Sequence, residues 1–171
     1  MTCNQTLTAI LKDCSPSMGG ITEVMLANKE DVQAVELTEE MISAITMASS
    51  AKFTKFQFPR NTGSMSSNYT IDPTTGVRFV TTDLVMLFNR MDTQKRVAIK
   101  ALAENELVGI VKDANGKYWY LGHDEPLTAT AGDGLTGTAR ADRNGYSITL
   151  QDNSHGMPYE VSPDIIAALV A

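Results

Sequence analysis

Two stretches carry the residue types of acid–base chemistry. Gly122-His123-Asp124-Glu125 sets a histidine beside two carboxylates, and Ser154-His155-Gly156 sets one beside a hydroxyl. An imidazole that trades its proton near neutral pH and is oriented by a carboxylate is the working part of hydrolytic triads. The pattern here is incomplete. Consecutive residues in a strand or loop point in different directions, so sequence neighbours do not make a constellation in space. There is no G-x-S-x-G elbow, and no second histidine is placed to act with His155. His123, Asp124 and Glu125 therefore read as a solvated loop after a strand.

Other chemistry-bearing patterns fare no better. Gly132, Gly134 and Gly137 in AGDGLTGTA suggest a phosphate cradle, but they do not match G-x-x-x-x-G-K-[ST] and no helix with a good start follows, so they read as turn glycines. Lys112-Asp113 and Asp142-Arg143 flank expected hairpin turns and read as solvated charges. The rings of Tyr118-Trp119-Tyr120 could stack nucleic-acid bases. In an acidic chain with few lysines or arginines around them, packing on a sheet is the better reading. Cys3 and Cys14 cannot alone make a four-ligand zinc site, and neither histidine adds a suitable spacing. Reduced thiols are the simplest state for them, a Cys3–Cys14 disulfide the alternative. No catalytic residue, cofactor or metal is assigned, and a non-enzymatic protein is expected.

The totals limit the partners. At 171 residues the chain is long enough for one well-packed core, and a single domain over 1–171 is expected. Fourteen basic against 20 acidic residues leave a net charge of −6. Gripping nucleic acid through its phosphates needs a basic footprint, which this balance lacks. An acidic wall past which nucleic acid slides remains compatible, because it repels phosphate. No run approaches the roughly 18–20 apolar residues of a membrane helix. The opening MTCNQTLTAILKDC lacks the basic start and apolar core of a secretory signal, so intracellular synthesis is expected. The nine methionines are scattered, which suits adaptable packing at contacts.

The elements that must position these residues centre on Val77 to Tyr120. VRFVTTDLVMLFNR alternates, with Val80, Leu84, Met86 and Phe88 on one side and Val77, Phe79, Thr81, Asp83 and Val85 on the other. Strands usually run to about 3–10 residues, so part of this one is expected to project toward a neighbouring chain. In MDTQKRVAIKALAEN, Asp92 can cap a helix that carries an apolar stripe of Val97, Ala98, Ala101 and Leu102 with Ile99 at its edge. Asn105 suits a left-handed terminator. Asn115-Gly116 between Leu107–Val111 and Tyr118–Leu121 predicts a type I′ hairpin, and Asn144-Gly145 predicts a second, joining Thr136–Ala141 to Tyr146–Asp152. GHDEPLTATAGDG before it reads as loop.

Toward the N-terminus, Ile21–Ala27 and Val32–Leu37 read as strands and MISAITMAS fits a helix and a strand equally. Phe56 and Phe58 share a face, and Pro59 closes their strand. Asn61–Asn68 is polar with almost nothing to bury. Strand character returns at Tyr69, and Asp72-Pro73-Thr74-Thr75-Gly76 makes a turn. Residues 59–78 thus form an extended hairpin that a monomer would order only at a cost, and an oligomeric partner is the natural explanation. Residues 1–20 form an N-terminal arm. In the tail, 160–171, Ser162 and Pro163 open a short helix whose Ile165, Ile166, Leu169 and Val170 must dock on its own core or on a neighbour. Strands dominate without a βαβ rhythm. The fold class is mainly β, a sandwich or barrel with one central α-helix and a long protruding hairpin.

This order of features resembles tail-tube-like virion proteins of tailed bacteriophages and prophages, particularly those of Bacteroidetes hosts. The resemblance runs roughly from Cys14 to Asp152 and is carried by LVMLFNRMDTQKRVAIKALAENELVGIVKDANGKYWYLG and TGTARADRNGYSITLQD. It implies a β-sandwich or barrel flanked by one helix and a homo-oligomeric ring of about six copies, with about twelve as the other count. Inner strands would join edge to edge into a lumenal barrel, removing exposed sheet edges. It implies a structural subunit of the virion's tail tube or neck, made in the bacterial host cytoplasm. Its partners would be itself and other tail or neck proteins, with DNA passing unbound during ejection and no membrane involved. Asn61, Gly63, Met65, Tyr69, Ile71, Thr75, Phe79, Ile165, Ile166 and Leu169 are the expected subunit interface. The same fold serves tube, terminator, neck-ring and secretion-tube roles. The alternatives are a small monomeric β-barrel that binds a ligand under Trp119 and, third, a hydrolase using His123 or His155.

Overall fold

The computed structural model describes residues 5–171, and residues 5–20 enter no helix or strand. Cys14 is exposed, while Cys3 and its pairing lie outside the described residues. Eleven strands follow: β1 (Ile21–Asn28), β2 (Val32–Thr38), β3 (Met41–Met47), β4 (Thr54–Phe56), β5 (Ser64–Asp72), β6 (Val77–Asn89), β7 (Leu107–Asp113), β8 (Tyr118–Leu121), β9 (Thr128–Leu135), β10 (Gly145–Ser154) and β11 (Tyr159–Val161). Helix α1 (Thr93–Glu104) separates β6 from β7, and α2 (Pro163–Leu169) ends the chain. Among the described residues no helix is long and apolar enough to cross a membrane.

The strands form a seven-stranded sheet, β2-β3-β11-β8-β7-β1-β4, and a four-stranded sheet, β5-β6-β10-β9. Pairing is antiparallel apart from β11 with β3. There is no closed barrel, because β2 and β4 end one sheet and β5 and β9 the other without meeting. That removes the barrel half of the expected fold class and the barrel of the ligand-binding alternative.

Burial on both faces explains the larger sheet's composition. Val24, Leu26, Val111 and Leu121 pack across from Leu84, Met86, Phe88, Ile148 and Leu150 of the smaller sheet. On the opposite side Met25, Val108, Ile110 and Tyr120 pack with Ile42, Phe53 and the α2 residues Ile166 and Leu169. A strand covered on both sides reads as a continuous apolar run, as Leu107-Val108-Gly109-Ile110-Val111 does. Phe56 and Phe58 both pack on Phe88, with ring centroids 6.4 and 6.5 Å away.

Helix α1 begins as its cap predicts, with Asp92 Oδ1 accepting from the Lys95 amide at 2.8 Å. Its inward stripe is Lys95, Ala98, Ile99 and Leu102, whereas Val97 and Ala101 face solvent. Asn105 is extended at φ −99 and not left-handed, because the chain turns directly into β7. MISAITMAS resolves as a strand, β3, held by β2 on one side and β11 on the other.

The hairpins differ in kind from the expectation. Only Gly116 is left-handed in the β7–β8 turn, at φ +84, so this is a three-residue loop with a glycine bulge and not a type I′ turn. Asn144-Gly145 is no turn at all. Gly145 opens β10 so close to β6 that a Cβ there would collide with the Phe88 carbonyl oxygen. The partner of β10 is Thr128–Leu135, read from sequence as loop. Gly132 and Gly134 are therefore strand residues, and Gly134 lies against the Tyr146 ring. Likewise β5 starts at Ser64 and not at Tyr69.

Asp113 is a structural tie and no idle turn charge. Its Oδ1 accepts from the Asn115 and Lys117 amides, 2.8 and 2.9 Å away, and its Oδ2 from the Trp119 indole at 3.0 Å. Burial works to raise its pKa, but the indole and amide donors outweigh it and hold the carboxyl below 3.8. Replacing a thrice-bonded carboxylate with methyl should cost about 1–3 kcal/mol. In urea unfolding, Asp113→Ala should be destabilised by that amount at neutral pH. Because the folded-state pKa is depressed, its contribution is present above 3.8 and fades as pH falls through the folded value, so the deficit should shrink in acid.

Candidate assembly surface

The smaller sheet turns one face to the core and one outward. Alternation and register put Val77, Phe79, Thr81, Asp83, Val85 and Leu87 of β6 on the outward face. Beside them lie Ser64, Ser66, Asn68 and Thr70 of β5 and Ser147, Thr149, Gln151 and Asn153 of β10. Ala131 and Asp133 come from β9. The strand positions of this face hold hydroxyls, amides, a row of β6 apolar groups and carboxylates, but no lysine or arginine. Gln151 Nε2 donates to Asp83 Oδ1 at 2.7 Å, and Thr81 Oγ1 to Asn153 Oδ1 at 3.0 Å. Arg143, just before β10, reaches Asp133 at 2.8 Å and holds that carboxyl below its usual range.

Both edges of this sheet are open. β5 pairs only with β6, and β9 only with β10, so each presents a row of backbone groups that could accept another strand. At one end the sheet outruns itself. β10 stops where Ser154 meets Val80, while β5 and β6 continue to the pair Asp72–Val77. The tip is closed by Asp72, whose Oδ1 accepts from the Thr74 amide at 2.9 Å. Tyr69 and Ile71, 53% and 60% exposed, stand at this tip.

The ten residues expected at an interface divide in two. Asn61, Tyr69, Ile71 and Thr75 are exposed, and Phe79 is half-buried on the outward face. Asn61 holds φ +61 in the turn before β5. The other five are engaged inside the subunit. Gly63 lies where a Cβ would collide with the Phe58 ring, and Met65 packs on the inter-sheet core. Ile165, Ile166 and Leu169 pack in the second core, so the C-terminal helix docks at home. The physical reason is that the larger sheet's second face needs a cover, and α2 supplies it.

The histidine cluster is tied together more closely than sequence reasoning allowed. Asp124 Oδ1 lies 2.9 Å from His123 Nδ1, so these adjacent residues do meet, and Asp124 Oδ2 accepts from the His155 amide at 2.7 Å. The His123 ring stacks edge-on with Tyr159 at 4.9 Å. Lys29 Nζ donates to the Gly122 and His123 carbonyls at 2.8 and 3.2 Å. Burial lowers the Lys29 pKa, against a smaller opposing pull from Asp124. No hydrogen bond joins Ser154 to either imidazole among the described residues, so His123 and Asp124 read as a loop clamp.

Sequence reasoning missed Thr82 and Asp152. The inward phase Tyr146, Ile148, Leu150 continues to Asp152, and a carboxylate in that phase was the available signal. Both residues are buried. Asp152 Oδ2 accepts from the Gly122 amide at 2.6 Å, linking the smaller sheet to the end of β8. The Thr82 hydroxyl, opposite Asp152 in register, lies 2.9 Å from that of Ser67.

No family model, curated protein or solved structure matches this chain.

Burial raises the Asp152 pKa, and the hydrogen bond from the Gly122 amide only partly offsets it. A raised folded-state pKa contributes stability that is complete below 3.8 and lost as pH rises through the folded value. Asp152→Asn, which keeps an acceptor for the Gly122 amide and cannot ionise, should therefore gain on the wild type as pH is raised from about 3 to about 7. Thermal unfolding of both proteins across that range measures it.

Proposed function

We propose that this chain is a structural subunit of a phage tail, assembling with copies of itself into rings that form or extend the tail tube or neck conduit for DNA. The observation that carries this reading is the four-stranded sheet with two open edges. Adding β5 of one copy to β9 of the next pairs both rows of backbone groups at once, and only closure of the ring leaves none over. The same joint would run the outward faces of successive sheets into one continuous wall.

Two further observations support it. The outward face lacks basic residues at its strand positions, which suits a wall that DNA passes without adhering. Apolar side chains also stand uncovered away from the core. Leu7, Ile10 and Leu11 of the N-terminal arm are 96%, 97% and 84% exposed, and the hairpin tip adds Tyr69 and Ile71. Contacts between copies, in a ring or between rings, would cover them.

Negative-stain microscopy of the purified protein, with mass measured in solution, tests the reading. Rings or tubes are expected; a concentration-independent monomer would overturn it. Thr130 isolates the edge joint, because the register of β9 slips there between Ala129 and Ala131 and leaves this residue without a partner in β10. Thr130→Pro should keep the circular dichroism of the wild type and abolish rings, since this residue has no register partner in β10 and a proline on an edge strand blocks the addition of another strand. The wall makes a separate prediction. Wild-type assemblies should not retain duplex DNA at moderate salt, whereas Thr81→Lys/Thr149→Lys assemblies should retain it and release it as salt rises. Co-sedimentation over a salt series reads both.

A further inference from the structure

Asp152 and Tyr120 each leave a polar atom unanswered in the interior. Asp152 is 3% exposed and Tyr120 1% exposed, and neither Asp152 Oδ1 nor the Tyr120 hydroxyl has a hydrogen-bond partner among the described residues. A buried hydroxyl or carboxylate oxygen without a partner costs about 1–3 kcal/mol, more when charged, so each of the two demands an explanation. Both side chains line the same small cavity, together with His123, Asp124, Ser154 and the Gly156–Tyr159 segment. Its volume is about 10 Å³, roughly the space of one water molecule.

We propose that this cavity is a binding site for a single water molecule that bridges the Asp152 carboxylate to the Tyr120 phenol. The donor set suits water. The phenol is a donor and an acceptor, the carboxylate oxygen accepts, and a water between them can donate to Asp152 while exchanging a hydrogen bond with Tyr120. No group of three or more histidine, cysteine or acidic side chains among the described residues is arranged to hold a metal ion. The space also excludes any larger guest. Tyr120 belongs to β8 of the larger sheet and Asp152 to β10 of the smaller, so the water is a second tie between the sheets beside the direct bond from Gly122 to Asp152. The inference stands independently of ring assembly.

Water-to-protein magnetisation transfer on the wild type, in parallel with a high-resolution crystal structure, tests it. The expected result is a long-lived water signal at the Gly122 amide and the Tyr120 ring, with density at about 2.7–3.0 Å from both oxygens. Absence of both signals overturns the proposal. So does density whose occupancy follows the sodium or ammonium concentration, which would make the occupant a cation. Tyr120→Phe should abolish the water signal while the rest of the spectrum is kept. Combined with Asp152→Asn, it should shift the unfolding midpoint by an amount that departs from the sum of the two single shifts; strict additivity would count against a shared ligand. Should Tyr120→Phe fail to fold, the wild-type measurements decide alone.

Discussion

Strand β6 is paired with β5 over Val77–Val85 and with β10 over Val80–Asn89, so every one of its 13 residues has a neighbour strand, and the rest of the molecule is arranged around that fact. Its inward row, Val80, Leu84, Met86 and Phe88, is buried, and the last three are one wall of the inter-sheet core. Its backbone also holds β5, a strand that buries little beyond Met65. Hydrogen bonding to an already ordered strand thus substitutes for hydrophobic burial. A serine-rich segment can therefore be ordered at a sheet edge, with Tyr69 and Ile71 left in solvent.

The larger sheet obeys a different constraint. Its central strands are apolar on both faces, so it needs two covers: the smaller sheet with α1 on one side, α2 with Phe53 on the other. That demand explains why the C-terminal helix is consumed within the subunit. What remains uncovered lies elsewhere, in the two edges of the smaller sheet, the hairpin tip and the N-terminal arm. An isolated β protein normally protects such edges, because an open strand is a template for another chain. Among the described residues no further strand pairs with β5 or β9, and the self-assembly reading turns that liability into a joint.

Polar ties hold the junctions that apolar packing leaves loose. Asp113 closes the β7–β8 turn, Lys29 and Asp124 clamp the connection after β8, and Asp152 reaches from the smaller sheet to that same connection. At Asp113 the donors outnumber what burial removes and the charged form is favoured. At Asp152 burial prevails and the charged form is penalised.

Much of this was legible along the chain. Apolar alternation located β6 and β10, Asp92 marked the start of α1, and the pair Ser162-Pro163 announced α2, because each is a local pattern with a local cause. Legibility failed where the cause was distant. TATAGDGL and SMSSN have little apolar content, and only pairing with an ordered neighbour makes them strands β9 and β5. The turn at Asn115-Gly116 was signalled, but its type depended on the flanking register. Meeting of His123 with Asp124 and burial of Asp152 likewise waited on which strands lie side by side. The sequence by itself determined the elements with a strong internal period and the acidic balance of charge. Tertiary structure alone decided the two sheets, their open edges and the home docking of α2, since backbone pairing and face-to-face burial join residues that no local pattern links.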